Sequence, residues 1–362
     1  LVIACVPTAA PASTAPRTAP PGTPYGVGPF PSQPADVPWP TTEWTVGELP
    51  PEVDGASIDA AVEQAFNDGG AERVRAILIV HQGSLVYERY SPNPSDGPDV
   101  IGSSYSLSKS VLSAFIGILV RDELIDVHAP ASVPEWHAEP DDRRAEITIE
   151  QMLQMASGIS WIEDPEDPNS NLMEMLTYPD MAAYAASLDL VEPSGSVYQY
   201  SSGTAMVLSR ILGEIVGPDP DEIRAFMDRE LFDRLGMTSV VTHFDEAGTW
   251  QGAFSADATA RDYARFGLMF LRGGAWDGEQ IVPTAWVDSA RVPSPANPEY
   301  GAHWWLDPTR PGVFLADGAF GQFIAVDPSH DVVVVQLGED LAWSGERPLV
   351  EFILDAFAGT TQ

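Results

Sequence analysis

The 362-residue chain carries 53 acidic against 18 basic side chains, a formal net charge of −35. A surface of that sign repels nucleic-acid backbones and anionic lipid headgroups, which removes DNA- and RNA-binding functions. With 44% hydrophobic residues and no apolar run reaching the ~18 residues of a membrane-spanning helix, the composition is that of a globular protein of one large or two ordinary domains.

At the start of the chain stands Cys5, the single cysteine, so no disulfide can form within one copy. It follows Val2, Ile3 and Ala4 and precedes VPTAAPASTAPRTAPPGTP. Residues 1–40 therefore read as a lipobox remnant, similar to that of bacterial lipoproteins, and a Pro/Ala/Thr-rich tether. This predicts lipidation at Cys5 and an extracytoplasmic protein whose only membrane contact is that anchor, with a secreted or cytoplasmic protein as the alternative.

Folded structure is expected from about Trp44. SIDAAVEQAFNDGG reads as a helix capped by Ser57 and stopped by Gly-Gly. VRAILIVHQGSLVYERY reads as a hairpin turning at Gly83. From Ser106 to about Gly236 the apolar spacing is helical, in pieces such as VLSAFIGILV, AMVLSRILGEIV and DEIRAFMDRELFDRLG. After two more helices, strand signals return in GAHWWLD, GVFLAD, QFIAVDP and DVVVVQLG, and PLVEFILDAFAG closes the chain as an amphipathic helix. The late strands have short connections, which favours antiparallel pairing.

Chemistry concentrates in IGSSYSLSKSVLSAFIGILV, residues 101–120. Lys109 is the only lysine in the chain; the other basic residues are all arginine. Of the clustered serines, Ser106 alone has Lys109 three positions on, one helical turn away on the same face. Val111, Leu112, Phe115, Ile116 and Leu119 form the predicted buried stripe of that helix. A serine hydroxyl needs a neighbouring base to become a nucleophile. Lysine can be that base when burial lowers its pKa, and arginine cannot. A lysine kept only here sits where a deprotonatable amine is required.

Two further stretches add to this pair. VYQYSSGTAMVL places Tyr200, Ser201 and Ser202 before a helix, and Tyr200 is a candidate acid/base with a pKa lowered by Lys109. In ADGAFGQFIAVDP, Gly318 and Gly321 flank a turn where backbone can approach a substrate.

Ser106-x-x-Lys109, then Tyr200-x-Ser202, then a glycine-containing strand near the C-terminus resembles the serine β-lactamase and penicillin-binding-protein superfamily. Within it the chain is similar to the class C-like branch of esterases, D-aminopeptidases and 6-aminohexanoate-dimer hydrolase. ITIEQMLQMASGISW, LFDRLGMTSV and YGAHWWL support the same likeness, which extends over about residues 44–357. The resemblance implies an α+β, β-lactamase-like fold: an antiparallel sheet flanked by helices, from residues 41–102 plus 250–362, and an all-helical insert at 103–249. It also implies Ser106 as the acylated nucleophile, Lys109 as its base, and Tyr200 as the proton shuttle to the leaving group and the deacylating water. Ser202 would bond the pair and the substrate, the N–H groups of Ser106 and Ala319 would form the oxyanion hole, and Gly318 and Gln322 would join them in binding substrate.

Two features depart from the pattern. Ala316-Asp317-Gly318 stands where class C β-lactamases usually have Lys-Thr-Gly, which removes a cation suited to a β-lactam carboxylate. In the acidic loop WIEDPEDPNSN, Pro165 replaces the substrate-covering tyrosine expected of a 6-aminohexanoate-dimer hydrolase. A Ser-His-Asp mechanism lacks its G-x-S-x-G elbow, and metal catalysis lacks a His-Glu-x-x-His or a tight ligand cluster. His81 reads as structural, and His303 as part of an aromatic-rich core strand. The expectation is a serine hydrolase acting on a small ester or amide without cofactor or metal. A catalytically silent cell-wall binding or sensor protein, and a true β-lactamase or D,D-peptidase, stay open as alternatives.

Overall fold

The computed structural model describes residues 28–67, 73–339 and 347–359. Cys5 and its expected lipidation lie outside the described residues. In chain order, α1 (Gly55–Asn67) leads into the hairpin of β1 (Val74–His81) and β2 (Ser84–Tyr90). A 3-10 turn at Tyr105–Leu107 then runs into α2 (Ser108–Arg121). The helical lobe follows with α3 (Ile149–Leu153), α4 (Asn171–Met175), α5 (Met181–Ser187), α6 (Ser202–Val216), α7 (Pro220–Met227) and α8 (Asp233–Leu235). The chain returns through α9 (Ala260–Leu271), the ribbon β3 (Ala275–Trp276) and β4 (Glu279–Gln280), and α10 (Thr284–Ala290). Four strands, β5 (Trp305–Leu306), β6 (Phe314–Gly318), β7 (Gln322–Asp327) and β8 (Val332–Gly338), precede α11 (Pro348–Ala358).

The main sheet runs β2-β1-β8-β7-β6-β5, antiparallel at every step. Hence the first hairpin and the late strands, far apart in sequence, join through β1 and β8, and the fold is the α+β arrangement expected. The four successive valines of β8 alternate between two cores. Val332 and Val334 pack with α1 and α11, and Val333 and Val335 with the core that includes α2 and α9. A sheet covered on both faces explains why this strand reads as an unbroken apolar run. At the β1–β2 turn, Gln82 and Gly83 have φ of 49° and 76°, the left-handed pair that a tight hairpin requires.

Three local expectations are corrected. The first helix begins at Gly55, and Asp54 receives both the backbone N–H and the hydroxyl of Ser57; a carboxylate just ahead of the helix takes the capping role from Ser57. Second, residues 28–43, read as tether or its margin, lie against the sheet domain. Trp39 packs on Trp276 with ring centroids 4.9 Å apart, Phe30 lies 3.9 Å from the Arg291 guanidinium, and Arg265 donates to Pro40 O at 2.7 Å. A proline-rich strand leaves its carbonyls free, and arginines of the folded domain bond them. Third, α2 is buried on every side from Ser108 to Leu119, and not only along its predicted stripe. Its polar face is tolerated because Ser110 and Ser113 donate to the carbonyls of His303 and Ala302.

Candidate active site

The serine cluster sorts itself by hydrogen bonding. Ser104 is fully buried and its hydroxyl bonds Phe254 O and Asp257, which ties the start of the motif to the segment before α9. Ser108 is fully buried, and Ser110 is spent on His303 O. Ser106 is half-buried, in a 3-10 turn whose preceding residue, Tyr105, is held at φ 46°. A non-glycine residue in that region stores strain, and here it turns the Ser106 hydroxyl toward Lys109.

Lys109 is 1% exposed. Its Nζ donates to Ser106 Oγ at 2.8 Å, Ser202 Oγ at 3.0 Å and Ala253 O at 3.0 Å. Burial lowers its pKa to about 8, opposed by the negative charge of Glu163. When the amine is neutral, two N–H bonds can stay on Ser202 and Ala253 while the lone pair faces the Ser106 proton. Nothing needs to move for proton transfer.

Tyr200 lies beside the pair, its ring 4.9 Å from Lys109 Nζ. Its pKa is raised well above the usual phenolic value, first by burial and then by Glu163, while a hydrogen bond with Ser106 pulls the other way. This corrects the expected lowering by Lys109: desolvation of a buried phenolate and the charge of Glu163 outweigh the attraction of the neighbouring ammonium. Tyr200 therefore rests protonated, and Lys109 is the group of the pair whose pKa burial brings down.

Sequence reasoning missed Glu163. Its carboxylate accepts the Ser202 N–H at 2.8 Å, the Ser202 hydroxyl at 2.5 Å, and the indole N–H of Trp161. It thus occupies the N-terminus of α6, where free N–H groups and the helix dipole favour an anion, and completes a chain Ser106–Lys109–Ser202–Glu163. The Trp161 ring lies so close to α6 that a Cβ on Gly203 would meet it at 2.4 Å. Glycine after Ser202 is what lets this loop dock. The neighbouring carboxylates of the acidic loop gave Glu163 no distinguishing mark in the sequence.

On the sheet side, a Cβ at Gly318 would meet Ser104 O at 2.3 Å and Leu107 N at 3.0 Å. Only glycine permits that approach, and it brings the turn after β6, with Ala319, alongside the Ser106 turn. Tyr105 packs edge-on against Phe320 of the same turn at 4.8 Å. Gln322 is corrected: its amide donates to Phe320 O at 2.9 Å and Gly338 O at 2.8 Å, and it is 2% exposed. It braces the turn from behind and offers nothing to a substrate. His303 is likewise buried, its Nδ1 3.1 Å from Lys109 O, with a pKa lowered to about 3 by burial and by Lys109. It stays neutral and supports the backbone of α2. His81 lies on β1 with its ring 5.4 Å from that of Phe357.

The profile of the β-lactamase family matches residues 60–351. The chain belongs to the β-lactamase family. Family members include hydrolases: a 6-aminohexanoate-dimer hydrolase from Paenarthrobacter ureafaciens is 27% identical over 291 residues, 72% of this chain and 71% of that protein. In fold, the chain is similar to a penicillin-binding protein homologue from Caulobacter crescentus, with a TM-score of 0.65 and 19% identity over 86% of this chain and 99% of the other. A family VIII carboxylesterase gives a TM-score of 0.65 with 14% identity over 86% and 98% of the two chains.

Proposed function

We propose that this member of the family is a serine hydrolase that cleaves an ester or amide through an acyl-enzyme on Ser106. The observation that carries the proposal is a buried lysine amine, its pKa lowered to about 8, bonded to the half-exposed Ser106 hydroxyl at 2.8 Å. Ser106 Oγ attacks the carbonyl carbon and its proton passes to Lys109. The oxyanion is held by the backbone N–H groups of Ser106 and Ala319. Tyr200 gives its proton to the departing alcohol or amine, and the ammonium of Lys109 balances the phenolate left behind. Water then attacks the acyl-enzyme, its proton is taken up on the Tyr200–Lys109 side, and Ser106 leaves protonated.

A fluorophosphonate should add once to the protein, at Ser106, and Ser106→Ala should abolish both the adduct and ester hydrolysis. An adduct that persists in Ser106→Ala ends the proposal. Localisation through a lipid on Cys5 belongs to the same proposal. The precursor expressed in its host should fractionate with membranes and Cys5→Ser should not; equal partitioning removes the anchor.

A further inference from the structure

Asp317 stands out on the sheet side of the cleft. Along β6, Phe314 and Ala316 face the core that includes α2, and Leu315 faces the α1 and α11 side. Strand alternation puts Asp317 on the face of Leu315. Trp305 is paired with Leu315 across β5 and packs on that same face. The Tyr200 ring stacks on Trp305 with centroids 5.8 Å apart and planes at 25°, Tyr300 stands edge-on to Trp305 at 4.9 Å, and Tyr198 packs on Tyr300 at 5.3 Å. The result is an aromatic wall with a carboxylate at its edge.

That carboxylate is poorly partnered. Among the described residues no hydrogen bond reaches it, and the nearest cation, Arg347, has its Nη1 3.7 Å away and its Nε 3.5 Å from Glu351. The Asp317 side chain is 17% exposed, so a ligand can reach it. Asp317 and Glu163 both raise the pKa values of Tyr198, Tyr200 and Tyr300, so two carboxylates border the wall, with Lys109 Nζ over the Tyr200 ring and bonded to Ser106. A protein-wide charge of −35 adds a negative field at long range. Aromatic faces with an adjacent carboxylate are the chemistry that recognises an alkylammonium group.

We propose that the cleft selects esters or amides whose leaving group carries a cation, seated against the Tyr200–Trp305 wall with Asp317 as its counter-ion. This rests on the acyl-transfer reading above. The leaving-group side follows from Tyr200, which both forms part of the wall and supplies the proton to the departing atom.

Ionisation adds a second signature. Burial raises the Asp317 pKa to about 7, against the opposing charge of Arg347. Selectivity for a cation should therefore be weak below pH 7 and grow as the carboxylate ionises above it. Lys109 also titrates in this cleft, whereas burial raises the phenols Tyr198, Tyr200 and Tyr300 above their usual range and keeps them protonated. Glu163, Glu299 and Arg347 are the other charged side chains that face it, and His303 stays neutral. Lys109 Nζ lies 4.9 Å from the Tyr200 ring, and its loss of charge near pH 8 also favours a cation, so the Asp317 share of the ratio is the part that Asp317→Asn removes.

The test compares butyrylcholine with 3,3-dimethylbutyl butyrate, its uncharged isostere, as kcat/KM from pH 5.5 to 9. The expected ratio at pH 8 is about tenfold in favour of the choline ester, the scale of one partly desolvated cation–π contact with a counter-charge. It should fall toward one near pH 5.5, fall toward one at all pH values in Asp317→Asn, and be retained in Asp317→Glu. Free choline should also slow fluorophosphonate labelling of the wild type more than that of Asp317→Asn. If Ser106 labels normally and the ratio is flat near one, or favours an anionic leaving group through Arg347, this inference fails and the hydrolase reading survives. If Ser106 does not label and neither ester is turned over, the hydrolase reading fails and takes the inference with it.

Discussion

The two sides of the cleft are built on opposite terms. Around Ser106 and Lys109 most polar groups are paired: a buried amine has three acceptors, Ser202 bridges it to Glu163, and Ser104, Ser110 and Ser113 are each tied to a backbone carbonyl, while the Ser108 hydroxyl and His303 Nε2 are buried without a partner among the described residues. Across from them, Asp317 and Arg347 face each other at 3.7 Å with no hydrogen bond between them. A largely paired network holds its geometry before substrate arrives, as proton transfer demands. A loosely paired carboxylate keeps interaction energy in reserve for a ligand. On the proposals above, the contrast separates groups fixed for chemistry from groups left open for recognition.

The sharpest way to break that contrast is Lys109→Arg, which keeps the charge and removes the proposed base. A guanidinium cannot take the Ser106 proton, so a folded variant, checked by circular dichroism, should lose ~10²–10⁴-fold in kcat on an activated ester. Activity within about threefold of wild type, under one kcal/mol of barrier, would remove Lys109 from the mechanism.

Next in size is the pH response. With the amine pKa lowered to about 8, kcat/KM on a neutral ester should fall about tenfold per pH unit below 8, as the base becomes protonated. Tyr200, raised well above its usual value, should leave the plateau intact on the alkaline side well past that point. A descending limb that begins near pH 8 would mean that a different group is the base.

Glu163→Gln probes the far end of the matched network. Glu163 raises the Lys109 pKa, so losing its charge should move the acid limb to lower pH. The plateau should drop about tenfold, the scale of one charged hydrogen bond lost from Ser202. Glu163 is a positioning residue on this view. An unmoved limb, whatever the rate, would reduce it to a structural support of the loop.

The smallest effect on chemistry is expected behind the turn. Gln322→Leu strips bonds from Phe320 O and Gly338 O, which should cost ~1–3 kcal/mol of stability in urea unfolding. An increase in KM much larger than any loss in kcat would return Gln322 to the substrate.

Much of this was legible in the sequence where the signal is local. The hairpin turns at Gln82 and Gly83 because both adopt positive φ, and β8 declares itself by valines alone. The Ser106–Lys109 pair is visible because one helical turn separates them and no other lysine exists. What stayed hidden depends on groups that meet only in the fold. Glu163 reaches Ser202 across 39 residues. The direction of the Tyr200 shift depends on its burial and on that same carboxylate. Gln322 resembled a binding residue because an amide in a strand gives no hint that two carbonyls behind it need donors. Phe30 and Trp39 anchor a stretch whose proline content alone suggests a spacer.

The solitary ε-amine has a consequence for the reagents chemists use on proteins. Apart from a chain terminus, acylating dyes, succinimidyl esters and reductive methylation have a single amine to find, at the base of the cleft and 1% exposed. Its remaining cations are guanidinium groups, which hold their charge well beyond pH 10. Conjugation chemistry that decorates most proteins indiscriminately becomes, on this one, a titration of the cleft that holds Ser106 and Lys109. Amine-based immobilisation on a support would attach it only by its terminus or at the cost of Lys109.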